Sequence, residues 1–292
     1  MKRVMNAKVQ MVTAMFIFGT IGIFVRHISL PSSVLACARG FIGTGFLLLV
    51  IALGKKKLSR DEIRGNWKVL LFSGAGIGVN WVLLFEAYNY TTVATATLCY
   101  YLAPIFIIIA TPFVLKEKLT PRKALCVVAA LLGMVLVSGV LQGGLPGAEE
   151  LRGILFGLGA AVLYATVVLA NRFLHDISAY TKTVAQLFIA AAVTVPYILL
   201  TEDLSAISLT AGQGLLVAFL GIVHTGVAYT LYFSSLGDLK MHTAAIFSYI
   251  DPVVAVILSA LLLREPMGLW GGVGAVLILG SALVSELPEK TP

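Results

Sequence analysis

The sequence contains few charged residues. Of its 292 residues only 12% are Asp, Glu, Lys or Arg, about half the share usual in soluble proteins. Hydrophobic residues make up 59%, and the mean hydropathy is +0.97. A soluble domain of this size could not cover its surface with so little charge. Lipid is therefore the predicted solvent for much of the chain, and nucleic-acid binding is not the predicted meaning of the net charge of +7.

Cysteine and the common catalytic motifs are also scarce. Cys37, Cys99 and Cys126 are odd in number, lie in apolar runs and lack metal-ligand spacing, so neither a disulfide framework nor a zinc site is predicted. The sequence has no Gly-x-x-x-x-Gly-Lys-Ser/Thr loop, no His-Glu-x-x-His and no Gly-x-Ser-x-Gly. We predict a protein that is not an enzyme and that needs no cofactor or metal.

Long apolar runs, by contrast, are abundant. A helix needs about 20 apolar residues to cross the hydrocarbon core of a bilayer. Ten runs meet this requirement: 9–26, 33–53, 67–88, 92–115, 122–141, 153–172, 180–200, 211–235, 241–263 and 267–286. The runs are continuous rather than alternating, which favours helices over the strands of a barrel. The predicted fold class is all-α, with ten transmembrane helices.

Lysine and arginine predict how these helices are oriented. With a cytoplasmic amino terminus, 17 of the 21 basic residues fall on the cytoplasmic side. Only Arg26, Arg152 and Arg264 then lie outside, and Arg39 lies within a helix. Because basic residues concentrate in cytoplasmic loops, both termini are predicted to be cytoplasmic, in the cell (inner) membrane.

The two halves of the chain repeat each other. Nine residues separate Thr95 from Pro104 and Thr243 from Pro252, and thirteen residues then lead to Glu117 and to Glu265. We predict one five-helix repeat over residues 1–145 and a second over 146–292. An odd number of helices inverts the second repeat in the membrane. Inverted repeats are a common architecture of secondary transporters, which bind substrate near the midplane between the repeats.

The order and spacing of several short stretches resemble a known family. In the first half these are Arg39-Gly40-Phe41, and the stretch from Phe85-Glu86-Ala87 through Pro104 to Lys116-Glu117-Lys118. In the second half the stretch runs from Tyr229 through Asp251-Pro252 to Arg264-Glu265-Pro266. Over nearly its whole length, the chain resembles the EamA-type members of the drug/metabolite transporter superfamily. The resemblance implies ten helices, two inverted repeats, a central cavity, and movement of small metabolites such as amino acids.

Two ionisable residues in the second half are candidates for proton coupling and for the substrate cavity. Asp251 shares a stripe of small and polar residues with Ser248, Ala255 and Ser259. A carboxylate in a membrane helix is costly, which makes it a functional candidate; the alternative is a carboxylate that neighbouring hydroxyls satisfy and that only fixes packing. His224 is the second candidate because histidine titrates near neutral pH, although it could simply bond a neighbour. Contact between Asp251 and His224 is left open.

Arg39 is the corresponding candidate in the first half, about 9 Å below the outer end of its helix at 1.5 Å per residue. It could bind a substrate carboxylate. The preferred prediction is an ion pair with Glu86 that joins two helices or gates the outer side.

Prolines and aromatic residues complete the candidate site. Pro104 and Pro252 occupy matched positions in the repeats and are either hinges or kinks that neighbouring helices tolerate. Asn80, Trp81, Tyr101 and Tyr249 are candidates to line the cavity, with packing as the alternative.

The predicted function is secondary transport or efflux of small polar metabolites by alternating access, with amino acids or related compounds leading. A channel or facilitator, and a membrane enzyme acting on a lipid precursor, are the alternatives. The predicted partners are a small-molecule substrate and the lipid bilayer, with proton coupling as a hypothesis and no nucleic acid. One chain holds both repeats, so a monomer suffices and a dimer is compatible.

Overall fold

The computed structural model describes residues 6–54, 58–114, 116, 119–138, 146–236, 239, 244, 247–265 and 267–287. All regular elements within these ranges are helical. The first five helices are α1 (Ala7–Val25), α2 (Ser32–Leu53), α3 (Arg60–Tyr90), α4 (Val93–Val114) and α5 (Pro121–Val137). The second five are α6 (Ala148–Ala170), α7 (Ala179–Thr201), α8 (Ala211–Leu236), α9 (Ile250–Leu262) and α10 (Leu269–Glu286). Eight of these are long and apolar enough to cross a membrane. The predicted all-α, ten-helix membrane fold is confirmed.

Hydroxyl side chains fix where several helices begin. Ser59, Thr92, Thr120, Ser178 and Thr210 each accept a hydrogen bond from a backbone N–H three residues later. Such caps satisfy N–H groups that the first turn of a helix leaves without a partner. The α3 helix starts at its Ser59 cap, seven residues before the apolar run at 67, because the cap and not hydropathy determines its first turn.

Within the described residues, three helices are interrupted along their apolar runs. The α1 helix breaks at Thr20, between the segments Ala7–Gly19 and Ile21–Val25. The α4 helix breaks at Tyr101 and Leu102, between Val93–Tyr100 and Ala103–Val114. In α8 the segment Leu220–Val227 is a π-helix, a form that frequently marks functional sites.

The packing of the helices has the symmetry of two related repeats. The contacts of α3 with α6 are matched by those of α8 with α1, and the contacts of α3 with α7 by those of α8 with α2. Three further pairs each join a helix to its own counterpart: α2 with α7, α4 with α9, and α5 with α10. A two-fold relation between five-helix units produces this pattern. The repeats therefore interlock through the centre of the molecule rather than standing side by side.

Glycines permit the closest of these approaches. A Cβ atom on Gly133 of α5 would lie 2.8 Å from the carbonyl oxygen of Gly274 of α10, and one on Gly274 would lie 2.5 Å from that of Gly133. Only residues without a side chain allow two backbones to meet this closely, as at many membrane helix interfaces.

Candidate functional site

The break of α4 and the beginning of α9 meet at a carboxylate. Tyr101, at the break of α4, donates a 2.6 Å hydrogen bond from its hydroxyl to Oδ2 of Asp251, in the first turn of α9. Tyr249 precedes α9, and its ring centroid lies 6.3 Å from that of Tyr101. Tyr101 and Tyr249 occupy matched positions in the repeats and have almost the same backbone angles, with φ of −75° and −76°.

The prolines follow these tyrosines by three residues. Pro104 lacks an N–H, so the carbonyl of Tyr100 loses its helical donor at the break of α4. Pro252 follows Tyr249 by three residues, as Pro104 follows Tyr101. The chain therefore departs from helical geometry one turn before each proline, not at the proline itself.

Four more tyrosines lie within electrostatic range of Asp251: Tyr88 in α3, Tyr100 in α4, Tyr164 in α6 and Tyr229 in α8. Tyr164 is 41% exposed, and its ring lies 5.5 Å from that of Tyr100. We call this group of residues the tyrosine chamber and define it by Tyr88, Tyr100, Tyr101, Tyr164, Tyr229 and Asp251.

Arg39 lies on another side of the same tyrosines. Its guanidinium stands 4.3 Å from the ring centroid of Trp81 and 5.6 Å from that of Phe85, a cation–π arrangement. Its Nε donates to Oγ1 of Thr225 at 2.8 Å. The side chain is only 4% exposed, and no carboxylate among the described residues pairs with it. The charge of Arg39 also acts on Tyr88, Tyr100 and Tyr229.

The predicted ion pair between Arg39 and Glu86 is wrong in this structure. Glu86 instead accepts hydrogen bonds from Oγ of Ser32, at 2.6 Å, and from Nδ2 of Asn89, at 3.3 Å. Ser32 begins α2, and Arg39 comes seven residues later, about two helical turns away. Sequence position placed both charges near one end of the bundle, but it did not fix their depth.

Asn80 and Trp81 are adjacent in sequence but occupy different surroundings. Asn80 is 2% exposed, and its Nδ2 donates to the carbonyl of Ala160 in α6, so its amide joins two helices. The ring of Trp81 packs against the guanidinium of Arg39. The structure therefore brings Trp81 to the Arg39 side of the chamber and Asn80 into the interface between α3 and α6.

His224 is buried in the π-helical segment of α8. It is 1% exposed, lies between the rings of Phe24 and Phe219, and shares a 2.8 Å hydrogen bond with Thr20 through Nε2. The hydroxyl of Thr20 also bonds the carbonyl of Ile17 and has one proton to give, which makes Nε2–H the donor to Thr20. Nδ1 of His224 then carries a lone pair that no described residue satisfies.

His224 and Asp251 are not hydrogen-bonded to each other, but the break of α1 connects them. Thr20 bonds His224, and the preceding Gly19 packs against Asp251. A Cβ on Gly19 would lie 2.5 Å from the carbonyl oxygen of Asp251. The two candidate ionisable groups therefore contact consecutive residues of the same interruption.

Glu265 joins the repeats at the end of the bundle where α1 finishes. Its Oε1 pairs with Nη2 of Arg26 at 2.6 Å, and its Oε2 accepts from the backbone N–H of Val93 at 2.9 Å and from Oγ of Ser259. Glu265 therefore caps α4 and pairs with an arginine 239 residues away in sequence. Glu117, its counterpart in the first repeat, lies outside the described residues.

A polar cavity occupies the opposite end. It has a volume of about 180 Å³, reaches from Pro104 past Ile108 to Arg172, and is also lined by Lys123 and Glu286. Arg172 is the repeat counterpart of Arg26. One end of the bundle thus has a charged link between the repeats, while the polar cavity at the other end reaches Pro104, near the break of α4.

Sequence reasoning did not identify Tyr88, Tyr164, Tyr229 or Thr20. The signal for the tyrosines was available, since membrane proteins usually place tyrosine at the interfaces. Most of the ten tyrosines of this chain lie inside its apolar runs. Thr20 carried no such signal, because a lone threonine in an apolar run is ordinary.

Comparison with known proteins agrees with this architecture. The EamA-like transporter family matches residues 6–139 and 151–286. The chain is 32% identical over 286 residues to the uncharacterized transporter YxxF of Bacillus subtilis, covering 97% of this chain and 90% of that protein. It is 26% identical over 243 residues to protein PecM of Dickeya dadantii, covering 82% of this chain and 78% of that protein.

A solved crystal structure has the same fold, with a TM-score of 0.67 at 21% identity and 96% coverage of both chains. The family match covers both five-helix halves, and YxxF, which is named as a transporter, matches 97% of this chain. This chain belongs to the EamA-like transporter family and is a multi-pass membrane transporter.

Proposed function

We propose that this transporter is a secondary carrier that moves a small polar metabolite by alternating access. The observation that carries the proposal is the contact of Tyr101 with Asp251, where the break of α4 in the first repeat meets the first turn of α9 in the second. Backbone that departs from helical geometry at membrane depth is tolerated where it lines a cavity or lies within protein. In transporters built from inverted repeats, substrate and coupling ion bind at such interruptions.

The charges of the chamber favour a zwitterionic substrate. Asp251 presents a carboxylate among phenol rings, which suits a substrate ammonium group through ionic and cation–π attraction. Arg39 presents a buried guanidinium without a carboxylate partner among the described residues, which suits a substrate carboxylate. Amino acids and related compounds carry both groups and are the leading substrates.

The two ends of the bundle support alternation between them. Arg26 and Glu265 link the repeats at one end, and the polar cavity beside Arg172 opens at the other. In the orientation that the basic residues favour, with both termini cytoplasmic in the cell (inner) membrane, the closed end is external and the open end is cytoplasmic. The structure then corresponds to an inward-facing state.

The proposal is tested in two stages. The purified protein is screened for thermal stabilisation by amino acids, amines, nucleosides and sugars, and each stabilising compound is then tested for uptake into proteoliposomes with and without a pH gradient. Saturable uptake that follows the gradient would support a proton-coupled carrier. Saturable uptake with counterflow but without gradient dependence would support an exchanger, and unsaturating flux would contradict the carrier.

Variants of the central contact sharpen the test. Asp251→Asn should abolish gradient-driven accumulation, because the proton-coupling hypothesis assigns the coupling proton to this carboxylate. Tyr101→Phe retains the ring and removes only the hydroxyl, so it should reduce transport less than Asp251→Asn does. Glu149→Gln alters an exposed carboxylate and serves as the control. Unchanged rate and pH dependence in Asp251→Asn would remove Asp251 from the mechanism.

A further inference from the structure

An apolar crevice lies on the outer surface of the bundle, away from the tyrosine chamber. It has a volume of about 460 Å³, within the range of ligand pockets. Phe72 of α3, Ala110 and Val114 of α4, and Leu169 and Ala170 of α6 line its walls. Thr166 supplies one hydroxyl, and Lys68 lies at one end.

The crevice lies between α3 and the second half of α4. The first half of α4 contacts α3 as well as α6 and α9, whereas the second half contacts mainly α6 and α5. The last two turns of α6 form the floor of the crevice. Leu169 lines both this crevice and the polar cavity, so the two are adjacent.

The crevice begins at the level of the membrane where lipid headgroups meet their acyl chains. Trp67 and Lys68 are both exposed, and Nζ of Lys68 lies 5.7 Å from the ring centroid of Trp67. Tryptophan and lysine side by side are typical of the membrane interface. The apolar walls lead inward from this pair, from Val69 to Phe72 on α3.

The positive charge of Lys68 favours anionic lipids. Lys68 forms no ion pair with any described carboxylate, so its ammonium group remains available to a headgroup. A basic residue near the membrane surface attracts anionic lipid by about 1 kcal/mol. Phosphatidylcholine and similar zwitterionic lipids gain little from this contact.

We propose that the crevice binds one anionic phospholipid, with an acyl chain between α3 and the second half of α4 and its phosphate at Lys68. The bound chain fills the crevice between α3 and that half-helix. Neither the substrate nor the direction of transport enters the proposal, so it stands or falls separately from the carrier mechanism.

Native mass spectrometry of the purified full-length protein tests the proposal. Dioleoyl phosphatidylglycerol and dioleoyl phosphatidylcholine are added in equal amounts, and the retained lipid is counted. The wild type should retain one phosphatidylglycerol in preference. Lys68→Gln should lower that preference about fivefold, the factor that corresponds to about 1 kcal/mol. Lys8→Gln removes a lysine from α1, away from the crevice, and should leave the preference unchanged.

Filling the crevice tests the position of the acyl chain. Ala170→Phe places a ring in the crevice and is expected to abolish retention of the lipid. If this variant does not fold, Ala110→Phe replaces it. Val162→Phe adds the same ring at an exposed position of α6 outside the crevice and should retain it. Equal retention of the two lipids by the wild type, or unchanged retention in both Lys68→Gln and the filled variant, would overturn the proposal.

Discussion

At the scale of single residues, the buried charge of Arg39 requires an explanation. A guanidinium that is 4% exposed and has no described carboxylate partner is costly in a membrane protein. The faces of Trp81 and Phe85 and the hydroxyl of Thr225 compensate part of this cost. A ligand carboxylate would compensate more of it, because charge-assisted contacts with arginine are strong and directional.

This interpretation predicts a specific loss of discrimination. We expect the wild type to bind a stabilising amino acid at least tenfold more tightly than its methyl ester, since a hydrogen bond to a charged group contributes about 1.5–3 kcal/mol. Arg39→Gln should bind the acid and the ester alike, and Arg39→Lys should recover only part of the difference. Ligand-induced thermal shifts measure both affinities.

The control is Arg152→Gln, which removes an arginine that pairs with Glu149 on the surface. It should leave the preference for the acid unchanged. If Arg39→Gln lowers stability but keeps the preference for the acid over the ester, Arg39 supports packing and does not bind the substrate.

Individual residues also show how far the sequence can be interpreted. Asp251 and His224 stood out because ionisable groups inside apolar runs are rare; in the structure His224 is buried and Asp251 is half-buried. Their partners Tyr101 and Thr20 come from 150 and 204 residues away. No local pattern encodes such distances, and the same limitation explains the wrong pairing of Arg39 with Glu86.

At the scale of secondary structure, hydropathy located the membrane helices but not their interruptions. Hydrophobic runs continue unbroken through Thr20, Tyr101 and the π-helical segment, because apolar side chains suit helical and non-helical backbone alike. The two matched prolines were the available signal. Pro104 marks the break of α4, and Pro252 marks the beginning of α9, each to within one turn. For the break of α1 and the π-helix of α8 the sequence offers no comparable marker.

The break of α1 yields a prediction about packing. Gly19 touches the carbonyl of Asp251 so closely that Gly19→Ala must push α1 away from α9. Overpacking of this kind costs about 1–3 kcal/mol. We expect a lower thermal midpoint in detergent and weaker substrate binding, since the displaced segment also holds Thr20 against His224.

Gly45 of α2 supplies the matched control. A Cβ at Gly45 meets no atom within 4 Å, so Gly45→Ala should be neutral or slightly stabilising, as alanine favours helices. Equal midpoints for Gly19→Ala and Gly45→Ala would show that α1 and α9 separate without cost.

At the scale of the whole molecule, the ten-helix frame and its repetition follow from the sequence, while the way the repeats meet does not. The residue spacing that recurs in both halves predicts the order of the helices, and the odd number of helices in each half implies that the repeats are inverted. Neither can show that α3 packs on α6 or that Arg26 reaches Glu265, because contacts between the repeats depend on all helices at once.

The link between Arg26 and Glu265 predicts which end of the molecule admits solvent. If it holds one end closed, then Arg26→Gln or Glu265→Gln should open that end to the tyrosine chamber. A cysteine introduced at Tyr164, after Cys37, Cys99 and Cys126 are replaced by serine, reports the opening. A membrane-impermeant thiol reagent, applied to either side of oriented proteoliposomes, should label it several times faster from the Arg26 side in these variants.

The double variant distinguishes a link between repeats from a general loss of stability. Because Arg26 and Glu265 act on each other, the double variant should label little faster than either single one, whereas independent sites would add their effects. Glu149→Gln breaks an exposed pair within α6 and should not change the rate. If the labelling rate is unchanged in Arg26→Gln, in Glu265→Gln and in the double variant, this end of the transporter is closed by packing and not by charge. The packing in question is that around Gly22, Val93 and Thr91.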